Sequence, residues 1–159
     1  MEKNHVMALR EHLDELLQGE SAHISLEAVL NDFPLEQMNT RVNGVPHTAW
    51  QLLEHIRIAQ WDILEFSRDA EHVSPGFPDG YWPEAQGTAA AWHDSVGQGL
   101  HDLQEMRELV ASDKTDLFEK IPHGSGQTIL REALVVADHN AYHLGQLVML
   151  KKMFSQTLA

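Results

Sequence analysis

The chain of 159 residues contains no cysteine. That absence excludes disulfides, thiolate nucleophiles and cysteine-type zinc sites, and leaves His, Asp and Glu as the strong ligands for a transition metal. Basic residues are scarce: 11 Lys and Arg against 24 Asp and Glu give a formal charge of −13. Such a surface repels phosphate backbones, so no nucleic-acid partner is expected. No apolar run approaches membrane-spanning length. The opening Met1-Glu2-Lys3-Asn4-His5 leads into charged amphipathic sequence rather than an apolar signal core, so a cytoplasmic protein without a membrane partner is expected. No internal repeat and no sustained strand-like alternation occur. A hydrophobic content of 43 % is enough for a real core, and a single domain over residues 1–159 is expected.

What is present is helical periodicity. One stripe runs from about Asn4 to Gln18 through Val6, Leu9, Leu13, Leu16 and Leu17, with Gly19 as its stop. A short turn at Ser25–Leu30 closes before Pro34. A second long helix is expected from Thr48 to Asp69, where Thr48 and Gln51 fit a capping box and Leu52, Ile56, Ala59, Ile63 and Phe66 form the stripe. Residues from His72 to Thr88 make a long loop rich in Pro, Gly and aromatics, whose Phe77, Tyr81 and Trp82 either pack it down or roof a pocket. A third helix from Thr88 to Ala111 carries Trp92, Val96, Leu100, Leu103 and Leu109, with Gly97 and Gly99 as weak points. A fourth, from Gln127 to Met153, carries Leu130, Leu134, Ala137, Ala141, Leu144 and Val148. Four long helices in one small all-α domain predict a four-helix bundle with long connections.

Histidine is abundant, with 11 residues, so the question is which few do chemistry. The segment Asp138-His139-Asn140-Ala141-Tyr142-His143-Leu144-Gly145-Gln146 sets two imidazoles one helical turn apart on one face. That spacing suits the gripping of one metal ion; two hydrogen-bonded histidines are the alternative. A third ligand has to come from another helix. His55, mid-way along the second helix on its apolar side, is the best candidate from pattern alone, and a hydrogen-bonded core histidine is the alternative there. Asp62 is either an acceptor that orients an imidazole or a solvated charge. His5 and His12, on one face of the first helix, are the main rivals. His93 and His101 are expected to look outward with Asp94 and Asp102. His23, His47, His72 and His123 are read as surface residues, with the loops of His47 and His123 best able to approach a site. Glu132 shares the face of His139 two turns away and is the candidate general base; a solvated carboxylate, pairing in the neighbourhood of Arg131, and support of a metal ligand are the alternatives.

The late His-Asn-Ala-Tyr-His-Leu-Gly-Gln segment, the Leu-Leu-Glu-His-Ile of the second helix and the acidic four-helix layout resemble the DinB-like (DinB/YfiT) superfamily of metalloenzymes. The resemblance extends over nearly the whole chain and is most specific in the last helix. It implies a divalent-metal site formed by His55, His139 and His143, and a homodimer. Gly145 matches the segment too, and is expected to permit close helix packing. The superfamily includes transferases and isomerases that use bacillithiol or mycothiol.

Three neutral imidazoles leave a divalent ion its full charge and open positions, the pattern of a catalytic site. Zn, Ni, Fe or Mn all suit such ligands. The expected function is activation of a low-molecular-weight thiol, or of water, for transfer to a small-molecule electrophile. A metal-dependent hydrolase and a non-catalytic metal-binding or sensor module are the alternatives. Any thiol has to arrive from outside, because the chain supplies none.

Overall fold

The structure, a computed structural model, describes residues 3–157. The described residues form five α-helices: α1 Lys3–Gln18, α2 Leu26–Asn31, α3 Ala49–Arg68, α4 Ala89–Ala111 and α5 Ile129–Thr157. Among the described residues no strand forms, and one isolated bridge pairs Lys120 with Thr128 just before α5. No helix among the described residues is long and apolar enough to cross a membrane.

Local chemistry sets the helix ends. Gly19 stops α1 with φ +74°, a conformation open to glycine without a Cβ penalty. The Thr48 hydroxyl accepts the Gln51 amide at 3.2 Å while the Gln51 side chain accepts the Thr48 amide at 3.1 Å, which completes the capping box of α3. Thr88 caps α4 through the Ala91 amide at 3.1 Å.

The four long helices pack with α3 against both α4 and α5, while α1 lies on α4 and α5. The apolar interior is divided. One cluster joins α2 to the first half of α3 and the second half of α5, around Leu52, Leu53, Ile56, Trp92, Leu147 and Leu150. The other joins α1 to the opposite halves, around Leu13, Leu17, Leu64, Met106, Ala133 and Val136. Between them α3 and α5 carry polar side chains. Gln60 is buried and accepts the Asn140 side-chain amide at 2.8 Å, while its own amide donates to the Gly99 carbonyl. This level is bridged by polar side chains rather than by apolar contact, and the match is incomplete: Asn140 Oδ1 is buried without a hydrogen-bond partner, where an unpaired buried amide group costs about 1–3 kcal/mol.

The buried face of α5 departs from the expected stripe. Leu134 and Ala141 are exposed, whereas Ala133, Val136, Asn140, His143 and Leu147 are buried. The helix turns its polar residues inward because α3 offers them partners. Leu16 of α1 is likewise exposed, and the first helix buries Leu13 and Leu17 instead. Asp102, expected outward, is buried on α4, where Gln98 donates to it at 2.7 Å and burial pushes its carboxyl pKa up.

Candidate metal centre

The seam between the two apolar clusters brings His55 of α3 together with His139 and His143 of α5. One ring nitrogen from each lies within 4.8 Å of the others. The His55 and His139 Nε2 atoms face each other at 3.0 Å. His143 is buried and the other two rings are half-buried.

The remaining ring nitrogens decide the tautomers. His55 Nδ1 lies 3.0 Å from the Tyr81 backbone carbonyl, and His143 Nδ1 lies 3.0 Å from Gln146 Oε1. Both partners are acceptors, so each Nδ1 carries the proton and each Nε2 presents a lone pair. The His55 lone pair therefore points at His139 Nε2. Either His139 donates a proton into that gap or a cation shares the two lone pairs. This is how metal-binding imidazoles are oriented, with the far nitrogen tied to an oxygen. The donor set thus fits a divalent transition metal.

Burial keeps the rings neutral. It lowers the His139 pKa to about 4, with the nearby His143 and His55 adding to the effect. Burial is also the main cause of the downward shifts at His55 and His143, partly offset by the Tyr81 carbonyl and by Gln146 respectively. Neutral imidazole is the form that binds metal.

The loop between α3 and α4 closes over this cluster. Trp82 stacks on His55 with ring centres 3.9 Å apart and planes 2° from parallel, and also stacks on His47 at 3.9 Å. Asp62 anchors the loop by accepting the Tyr81 hydroxyl at 2.6 Å and pairing with His72 Nε2 at 2.7 Å. Asp62 thus orients His72 directly, and acts on His55 only through Tyr81. His72, expected at the surface, has a side chain only 8 % exposed because this carboxylate draws it in. Phe77 neither roofs the cluster nor packs on the bundle; it is 88 % exposed.

The other candidates lie elsewhere. His5, His12, His23, His93, His101 and His123 are exposed, and among the described residues the group of three is the one set of ligands close enough to share an ion. Glu132 is buried, paired with Arg131 Nη1 at 2.6 Å, and lines a separate cavity with Asp62 and Ser74. It stands two turns from His139, about 10 Å along the axis. Gly145 does not serve close helix packing: a Cβ built there meets nothing within 4 Å.

The sequence pattern missed the partners of the rings. Gln146 was legible in principle, since a residue three positions after His143 shares its face. The Tyr81 carbonyl was not, because backbone groups carry no signature in the sequence.

The family model described as the DinB superfamily matches residues 18–147, a span that holds all three histidines and the loop over them. No curated protein and no solved structure matches the chain.

Proposed function

The chain belongs to the DinB superfamily, and from that premise we propose that it is a divalent-metal protein whose His55, His139 and His143 hold the ion for chemistry on a small molecule. The observation that carries this reading is the pair of Nε2 atoms facing each other at 3.0 Å while the far nitrogens of His55 and His143 are tied to oxygens. A bound divalent ion with three neutral ligands supplies charge that lowers the pKa of a coordinated thiol or water toward neutrality. Zn, Ni, Fe and Mn all suit imidazole nitrogen.

The chain's own groups do the positioning. The Tyr81 carbonyl and Gln146 fix two rings in one tautomer. Trp82 covers one side of the cluster and limits water there. With no cysteine in the chain, a thiol nucleophile comes as a low-molecular-weight cosubstrate. The reaction we favour is transfer of that thiol to a small electrophile. A hydrolytic reaction uses the same ligands with water in the thiol's place.

Calorimetric titration of metal-free protein tests the ligand set. One divalent ion per chain is expected, with affinity at least about a hundredfold weaker in His139→Ala and with helicity by circular dichroism preserved. Equal affinity in the two proteins sinks the reading. Turnover of an electrophile by metal-loaded protein, with and without added thiol, then separates transferase, hydrolase and non-catalytic module.

A further inference from the structure

A groove of about 310 Å³ is lined by Gln146 and Tyr142, both in contact with His143, though none of the three histidines lines it, and the metal reading leaves it unused. Among the described residues that line it there is no carboxylate, lysine or arginine. Its polar side chains touch the cluster or the ring that covers it. Gln146 accepts from His143 at 3.0 Å, the Tyr142 ring lies 4.8 Å from that of His143, and His47 stacks on Trp82, which covers His55. The apolar side chains of its walls include Val45, Leu52, Met149 and Leu150. Met149, a large apolar side chain of this lining, is 54 % exposed. A thioether of this kind adapts its shape to varied apolar guests.

Gly145 lies on this wall, inside α5. Glycine in a helix interior costs about 1 kcal/mol against alanine. Here no neighbour requires it, since a Cβ would meet nothing within 4 Å. What the missing side chain preserves is the space of the groove.

We propose that this groove seats the apolar body of an amphipathic small molecule, an uncharged aliphatic chain or single aromatic ring, whose polar head reaches the site of His55, His139 and His143. The proposal rests on the metal reading for the head and on the groove alone for the body. The volume falls at the small end of ligand sites, which span about 300–1,000 Å³. The acidic surface outside the groove disfavours anionic bodies, and the uncharged lining leaves a charged body without a partner.

The test uses the full chain loaded with zinc and a series of n-alkyl hydroxamates lengthening from two to ten carbons, with affinity read by calorimetry. Affinity is expected to tighten about fourfold per methylene until the groove is full, and then to level. Gly145→Leu, whose Cβ meets nothing within 4 Å, puts an apolar side chain on this wall; it is expected to abolish the increments and to leave zinc affinity within about twofold. Equal increments in both proteins, or none in either, overturn the proposal. Failure of the metal reading appears separately, as absent zinc uptake. In that case 1-alkanols replace the hydroxamates on metal-free protein, and Gly145-dependent binding supports the apolar seat while its absence overturns it. Sedimentation completes the set: a dimer that Gly145→Leu dissociates, with no chain-length dependence, gives the face to a second copy and overturns the proposal.

Discussion

Gly87→Ala tests how firmly the loop over the histidine cluster is held. A Cβ at this position would lie 2.7 Å from Trp50 Cε3 and 2.8 Å from Trp50 Cγ. Neither partner has room to retreat. Trp50 is 7 % exposed, its indole nitrogen donates to the Ala85 carbonyl at 3.0 Å, and its backbone amide donates to Met38 at 2.9 Å. Gly87 is fixed on its other side by Asn39, whose side chain donates to its carbonyl at 2.8 Å and accepts its amide at 2.9 Å. Overpacking costs about 1–3 kcal/mol, and each hydrogen bond sacrificed to relieve it about 0.5–1.5 kcal/mol. The expected loss is about 2–4 kcal/mol, or roughly 5–15 °C in Tm for a chain of this size. Calorimetry of the metal-free protein measures it. Gly97→Ala is the control: that glycine is exposed within α4 and its added Cβ meets nothing within 4 Å, so the helix gains up to about 1 kcal/mol and Tm rises. The same added methyl should therefore act with opposite sign at the two sites. Should Gly87→Ala melt within about 0.5 kcal/mol of the wild type, the close approach to Trp50 is not a constraint and the account of the loop is wrong.

Two further outcomes are expected. Burial, reinforced by the carboxylate of Asp62, raises the Tyr81 phenol pKa to about 12; the unfolded chain, with a phenol pKa near 10, then loses its proton first, so stability present below pH 10 is lost as pH rises toward 12. Absorbance of tyrosinate follows this directly, because the chain has only two tyrosines and Tyr81→Phe should remove the late step. Glu132→Gln should leave metal affinity within about twofold, as expected for a carboxylate two helical turns from His139; a tenfold weakening in a calorimetric titration would tie Glu132 to the ion.

The helices were legible because their signals are local. Thr48 with Gln51, Thr88 and Gly19 act within one turn of the chain. The convergence of His139 and His143 was legible from their spacing, and that of His55 from its place on an apolar stripe. The buried face of α5 was misjudged through Leu134 and Ala141, since counting apolar residues assumes that polar ones face water. Here Asn140 faces Gln60, and His143 faces the other two rings. His72 and the Tyr81 carbonyl were beyond reach for another reason. Their positions follow from how an irregular segment folds back onto Asp62, and no periodicity encodes that path.

The division of the bundle interior into two separate apolar blocks has an evolutionary consequence. The block around Leu13, Leu64 and Met106 shares no wall with the groove, so drift in its packing alters robustness without touching ligand choice. The block around Leu52 and Leu150 gives those two residues to that wall, and changes at either retune what fits. Leu52 and Leu150 thus answer to core packing and to groove shape at once, whereas Leu13, Leu64 and Met106 answer to packing alone.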